Sequence, residues 1–405
     1  MLNAESTIIT PIFRNITVIT AKYLHKGSGF SKKFNDICTI IHQNSMSEMS
    51  FRKLNYLCLI LASALAVISC KDDDETTVTP SLDGSLSFLV PEYVLPEAVV
   101  TMVPSGVAHP DGEELGYCWK VSPTMTKADT TRYENGLDKN GKPSDGSFTH
   151  TFSDTLKTYT VTGYAFAKGY STSTSKSHYV TVVKGGLDGS IKNIALTGMP
   201  SFEINGTKYP YATIGSTDWM CRNMSDPAAG APYMNNRAMD DVFGRYYSYE
   251  EALEICPEGW QLPSEKDWIE LAVAAGAEDI TEYETIKGIA AAIMGNTYFN
   301  DDLMWEYWPS VGEITNSTGI SMMPVGYATL GNKNTSPKEN EFIDNTYPQA
   351  MFKGYKQYAA FWTADTAKDE EGMAYYRYLI SEQPDLFIEK GDINSFGASV
   401  RCIRK

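Results

Sequence analysis

The sequence predicts two folded domains in series, an all-β sandwich over residues 85–184 and an α+β domain over residues 191–405. Three observations carry this reading. Segments such as "YTVTGYAFA" (Tyr159–Ala167) and "HYVTVV" (His178–Val183) alternate or cluster β-branched and aromatic residues, with Gly and Ser between them. That is the pattern of short strands and turns, and strands at this spacing suit a sandwich of ~100 residues. "KGGLDGS" (Lys184–Ser190) has the composition of a linker. Beyond it the character changes: two helix starts can be named, and five of the seven tryptophans fall between Trp260 and Trp362. The remainder, rich in Gly, Asn and aromatic residues, reads as short strands and long loops.

Taken in order, the chain opens with an awkward stretch. "MSFRKLNYLCLILASALAVISC" starts with Arg52 and Lys53, continues through the apolar run Leu57–Ile68 and ends at Cys70. The run is shorter than the ~20 residues that span hydrocarbon. A charged start, a short apolar stretch and small residues before a cut site describe a secretory signal, here residues 49–70. Val67-Ile68-Ser69-Cys70 resembles a bacterial lipobox, which makes Cys70 the lipidated first residue of an exported chain and acyl chains its membrane anchor. Signals lie at the very N-terminus, so residues 1–48 are read as an over-called extension, with Met49 or Met46 as the initiator. "KDDDE" after Cys70 resembles the surface-export tag of Bacteroidetes lipoproteins, which implies an outer-membrane location facing outward. Residues 71–84, polar and Thr/Pro-bearing, form a tether.

Charge narrows the partners. Of 405 residues with formal net charge −16, Lys71–Lys405 hold 27 Lys/Arg against 47 Asp/Glu. No basic patch exists to displace counterions from a phosphate backbone, so nucleic-acid binding is excluded. An exported chain folds where disulfides persist, and Cys118, Cys221, Cys256 and Cys402 remain after the leader. Four cysteines allow three complete pairings, and spacing alone does not choose among them.

In the sandwich, "GSFTHTFSDTLKTYTVTGYAF" is similar to the C-terminal half of PKD and related immunoglobulin-like modules, which implies an all-β immunoglobulin-like spacer. Cys118 sits beside Trp119 with no second cysteine in the region, so an antibody-type disulfide is absent. In the second domain, Ser248 with Glu251 opens a helix over Tyr249–Ile255, and Ser264 with Asp267 opens one over Glu265–Ala275 with Gly276 as its stop. Trp268, Leu271, Ala272 and Ala275 fall on one stripe of that helix, so Trp268 is expected in a core.

Five segments occur in order: "YATIGSTDWMCRNM" (Tyr211–Met224), "FGRYYSYEEALEICPEGWQLPSEKDWIEL" (Phe243–Leu271), "NSTGISMMPVGY" (Asn316–Tyr327), "AAFWTADT" (Ala359–Thr366) and "SFGASVRCIRK" (Ser395–Lys405). Together they resemble the Fibrobacter succinogenes major paralogous domain of exported lipoproteins, over roughly residues 201–405. The resemblance implies an α+β C-type-lectin-like fold in which the terminal strands meet, and a disulfide between Cys256 and Cys402. Two departures stand out. The extra cysteine pair of many members is missing from "SDPAAGAPYMNNRAMDD", and Cys221 occupies a position usually Ala or Glu, which reads as a free, buried thiol. In "CPEGW", Pro257–Gly259 reads as a turn and Trp260 as core.

Catalytic chemistry finds little purchase. No histidine follows His178, which excludes His-based triads and His-ligated metal sites from residues 179–405. A thiol mechanism using Cys221 and Cys256 competes with structural cysteines, and the structural reading is preferred. Asp301-Asp302 and Asp369-Glu370-Glu371 read as solvated loop charges. Gln383-Pro384-Asp385 is the triplet of galactose-selecting C-type lectins, but the Trp-Asn-Asp triplet that completes their calcium site is absent, leaving too few oxygens. No cofactor or metal is expected. What remains for ligand contact is aromatic surface, on which sugar rings stack. "DDLMWEYWPS" (Asp301–Ser310) supplies Trp305, Tyr307 and Trp308. Trp305 also answers to the family's internal core tryptophan, and Trp308, before Pro309, is the better candidate for exposure. Tyr327 joins them, with Tyr355 and Tyr358 behind. The expectation is a surface lipoprotein, not an enzyme, that recognises a glycan or protein ligand. The competing reading is an adhesion or assembly subunit that binds another cell-envelope protein.

Overall fold

The first described part is built around Trp119. The structure, a computed structural model, describes residues 79–122, 129–133, 141, 144–153, 158–187, 189–193, 196–305 and 312–405. The leader, Cys70 and most of the expected tether lie outside them. Nine strands open the described chain: β1 (Asp83–Ser87), β2 (Tyr93–Val94), β3 (Ala98–Met102), β4 (Ser105–Ala108), β5 (Gly116–Ser122), β6 (Asp129–Tyr133), β7 (Phe148–Phe152), β8 (Thr158–Phe166) and β9 (Lys176–Val182). They form a five-stranded sheet of order β2-β9-β8-β5-β6 and two two-stranded ladders, β3-β7 and β1-β4. β8 shows why: its residues alternate strictly between buried and less buried positions, the period-2 signature of a strand with one face on a core. Trp119, fully buried, donates from Nε1 to the Gly146 carbonyl at 2.8 Å and packs on Phe88 and Phe148. Gly163 is required opposite it, since a Cβ there would stand 2.8 Å from the indole. The tether gives way to the fold before Gly84, where Ser81 already bridges Ser171.

After Lys184 the strands shorten: β10 (Ile191–Lys192), β11 (Ser201–Ile204), β12 (Thr207–Ile214), β13 (Thr217–Met220), β14 (Ala231–Pro232), β15 (Arg245–Tyr246), β16 (Tyr298–Phe299), β17 (Asp302–Leu303), β18 (Tyr327–Thr329), β19 (Met351–Lys353), β20 (Tyr358–Thr366), β21 (Met373–Ile380), β22 (Phe387–Asp392), β23 (Phe396–Gly397) and β24 (Ile403–Arg404). The helices are α1 (Asp240–Phe243), α2 (Tyr249–Glu254), α3 (Glu265–Ala274) and α4 (Ala290–Ile293). α2 and α3 begin at the expected caps. The Glu251 carboxylate accepts from Ser248 N–H at 3.1 Å, and the Asp267 carboxylate accepts from Ser264 N–H at 2.8 Å and from its hydroxyl at 2.6 Å. Gly276, at φ +95°, ends α3 in the left-handed region that glycine tolerates.

The expected α+β, C-type-lectin-like domain after an immunoglobulin-like sandwich is corrected here. The described residues are mostly β, 39% strand against 11% helix, and their strands are dispersed over eight small sheets. α2 and α3 are the only helices longer than one turn among the described residues. Non-glycine residues in the left-handed region, among them Asn235, Tyr283, Asn300, Asp301, Asn316, Ser321 and Lys356, turn the chain too often for long helices or a broad sheet.

Three side chains knit the second part together. Trp268 is fully buried and meets Trp219 edge-on at 5.2 Å. Arg377, equally buried, forms an ion pair with Glu265 at the start of α3 and donates to the Glu284 carbonyl at 2.8 Å. Among the described residues Arg401 has no carboxylate partner; it donates to Asn223 Oδ1 at 2.6 Å and to the carbonyls of Met220, Ile320 and Ser321 at 3.1 Å. Burial pulls its guanidinium down to about 9. Cys256 and Cys402 are joined in a disulfide across 146 residues. Trp260, expected in the core, is instead half-buried: it stacks on Phe202 at 4.5 Å while the Arg404 guanidinium lies over its ring at 4.8 Å. A turn at the surface gives a large ring only one side to bury.

The first and second parts touch directly. Asn236 Nδ2 donates to the Tyr93 carbonyl at 2.9 Å, and Phe342 packs against the core around Trp119. Among the described residues no helix is long and apolar enough to cross a membrane.

Candidate functional site

β20, β21 and β22 form an antiparallel meander whose central strand reads "MAYYRYLI". Alternation sends Arg377 and Leu379 into the core and places Tyr376 and Tyr378 on the opposite face, both half-buried. Register then sets their neighbours: Tyr376 lies opposite Trp362 and Glu389, Tyr378 opposite Ala360 and Phe387. Trp362 is fully buried, donates from Nε1 to the Tyr247 carbonyl at 2.8 Å, and supports Tyr376 from below. Gly391 is needed beneath, since a Cβ there would come within 2.6 Å of the Phe396 ring and 2.9 Å of Trp362.

The result is a closed circuit of five half-buried rings. Centroid distances run Tyr327–Tyr358 6.1 Å, Tyr358–Tyr378 6.4 Å, Tyr378–Tyr376 5.6 Å, Tyr376–Phe396 4.4 Å and Phe396–Tyr327 5.6 Å. Phe387 extends it, stacked on Tyr378 at 5.2 Å. Aromatic contacts at these spacings hold each ring in place. Burial, then the neighbouring phenols and the Glu389 carboxylate, push the Tyr376 hydroxyl above its ordinary pKa. Burial and Glu389 do the same for Tyr378. Both hydroxyls therefore stay protonated donors through the physiological range, beside the exposed carboxylate of Glu389. The face thus combines apolar ring area with donors and one acceptor, which suits a ligand with C–H and O–H on the same surface.

The other expected positions fall elsewhere. Trp305 is fully buried and donates from Nε1 to the Met322 carbonyl at 2.8 Å, so it is a core residue and no ligand contact. Tyr307 and Trp308 lie outside the described residues. Tyr327 and Tyr358 join the circuit, whereas Tyr355 packs with Tyr233 and Phe243, near Tyr93 of β2. Sequence reasoning does not reach Tyr376, Tyr378, Phe387 or Phe396. The signal that could have found them is the i, i+2 spacing of Tyr376 and Tyr378.

Alternative chemistries meet specific occupants. Cys256 is committed to its disulfide, and burial pushes the Cys221 thiol up to about 11, against nucleophilic use. Asp385 of the Gln-Pro-Asp triplet accepts from Lys287 Nζ and Gly288 N–H, both at 2.9 Å, and so pins a loop. Asp369 and Glu370 share Lys390 at 2.6 and 3.5 Å. Asp301 pairs with Lys192.

With this geometry in place, the comparison with known families bears on the second part of the chain. Residues 212–404 match the model of the Fibrobacter succinogenes major domain. The disulfide, the capped α2–α3 corner and all five rings of the circuit lie within the matched segment. The match begins inside β12, so β11, which pairs with β12, lies outside the matched range. No curated protein matches the chain.

Proposed function

We propose that the protein is a surface-anchored lipoprotein whose tyrosine circuit binds a carbohydrate without acting on it. The observation that carries this reading is the closed set of five half-buried rings, Tyr327, Tyr358, Tyr376, Tyr378 and Phe396, with the Glu389 carboxylate at its margin. Sugar rings present C–H faces that settle on aromatic area and hydroxyls that bond to phenols and carboxylates. A rigid aromatic floor loses little conformational freedom on binding. The engaged state of Cys256 and the raised Cys221 thiol favour binding over catalysis. The anchor rests on the apolar run Leu57–Ile68 and the Ser69-Cys70 junction. Lodged at the outer membrane, the sandwich would then serve as a spacer.

The test is a glycan array with the full chain and with Tyr376→Ala and Tyr378→Ala. A glycan bound by the parent is expected to lose about tenfold or more in affinity with either substitution, the scale of a central aromatic contact. Binding that survives both unchanged, or no glycan binding at all, overturns the reading. Capture of a cell-envelope protein lost in the same two variants would replace the carbohydrate with a protein ligand.

A further inference from the structure

We infer that the ligand of the tyrosine circuit is a linear, uncharged glycan chain, held across the strands by at least three consecutive sugar units. The inference rests on the carbohydrate reading above and adds the length and the charge class of the ligand. What carries it is a row of rings, Tyr327, Tyr358, Tyr378 and Phe387, that runs from strand to strand.

Tyr327 comes from β18, Tyr358 from β20, Tyr378 from β21 and Phe387 from β22. These strands lie side by side: Gly326, just before β18, bridges Ala359 of β20, and β20, β21 and β22 follow in one sheet. Each strand therefore contributes one half-buried ring to the row. Neighbouring strands are ~4.8 Å apart, and the ring centroids advance by 6.1, 6.4 and 5.2 Å. That step is close to the advance of one sugar unit along a chain, so successive units meet successive rings. Tyr327 stands edge-on to Tyr358 at 84°, whereas Tyr358, Tyr378 and Phe387 tilt by only 29° and 24° from one to the next. Three near-parallel rings set the least length of the ligand.

Charge decides the class. Lys353 lies opposite Tyr327 in the β18–β19 register, and Glu389 follows Phe387 by two residues, on the same face of β22. Both are exposed. The row thus has a positive charge at one end and a negative charge at the other, and a chain of like charges of either sign meets repulsion at one of them. The formal net charge of −16 adds a long-range penalty for a polyanionic glycan. An uncharged chain meets neither. Its C–H faces find the rings, and its hydroxyls find the phenols of Tyr327, Tyr358 and Tyr378, which are spread one to a strand.

The experiment uses the full chain in two steps. Affinity electrophoresis through gels containing xyloglucan, galactomannan, laminarin, amylopectin or polygalacturonate selects a polysaccharide. Calorimetric titration then follows the oligosaccharides of the retarding polysaccharide, from monosaccharide to hexasaccharide. At least one neutral polysaccharide is expected to retard the chain and polygalacturonate is not. Affinity should rise about tenfold or more between monosaccharide and trisaccharide. Phe387→Leu keeps apolar bulk at the end of the row without a ring and should lower trisaccharide affinity about tenfold, while Phe387→Tyr restores it. A monosaccharide bound as tightly as the trisaccharide, or a trisaccharide affinity unmoved by Phe387→Leu, overturns the row and leaves the circuit a carbohydrate site. Equal retardation by polygalacturonate overturns the uncharged class. No retardation in any gel overturns both this inference and the reading on which it rests.

Discussion

Trp305 and Tyr378 show how two aromatic side chains of similar size take opposite parts. Trp305 has its ring fully enclosed and its one polar atom spent on Met322; Tyr378 is only half-buried. Trp305→Phe should therefore lower unfolding stability by about 1–3 kcal/mol, because the Met322 carbonyl loses its donor in a dry environment. Urea denaturation checks this, and ligand affinity should not move. Single residues were the least legible level of the sequence. Composition marks a tryptophan as large and apolar, and only the contacts around it decide between core and contact surface. Cys256 and Cys402 were expected together because of a family resemblance. Four cysteines and their spacing left the pairing open.

Among the elements, α3 is fixed by charges at its first turn. Arg377 and Glu265 are both almost fully buried, so Arg377→Met would strand a carboxylate in the core. The expected loss is about 3–5 kcal/mol, and most of it should return when Glu265→Gln is added. Denaturation of the single and double variants separates this from a simple packing defect. The starts of α2 and α3 were legible because a cap joins residues three apart, Ser248 to Glu251 and Ser264 to Asp267. The tyrosine circuit was not, for the opposite reason. Tyr327 and Phe396 meet Tyr358, Tyr376 and Tyr378 through strand pairings and packing between separate sheets. No local window of sequence contains them.

For the whole molecule, pH sets stability through two opposed groups. Asp344 is held below the usual carboxylate range by Arg245 and Thr346, which outweigh its burial; Asp267 by Lys405 and Ser264; Glu251 by Lys333 and the Ser248 N–H. Each contributes stability that is present above about pH 4 and lost as pH falls through its folded value. Asp240 runs the other way. Burial raises it to about 6 despite Arg245, so between about pH 6 and 4 the native state binds a proton that the unfolded chain does not, and its contribution grows as pH falls. Urea midpoints against pH should show a shallow plateau or gain from neutrality to about pH 4.5, then a steep loss. Asp240→Asn should remove the rising part. Reduction of the Cys256–Cys402 bond should cost about 2–5 kcal/mol at any of these pH values, read as a lower midpoint in dithiothreitol. At this scale the all-β character of the first part was legible from period-2 runs such as β8, while the C-type-lectin-like expectation for the second was not met. Two well-capped helices weigh heavily in a sequence, yet they occupy a small part of a domain made mostly of short strands.

The last residues have a consequence for the order of events during synthesis. Arg401 gathers Met220, Asn223, Ile320 and Ser321, Cys402 closes onto Cys256, and Ile403 and Arg404 pair with Trp219 and Asp218. Until that stretch has been made, Met220, Asn223, Ile320 and Ser321 lack the guanidinium that joins them, and β13 has β12 on one side but no strand on the other. A ribosome must deliver nearly all of the chain before this domain can close. Until then the half-made domain stays open along β13 and around Asn223.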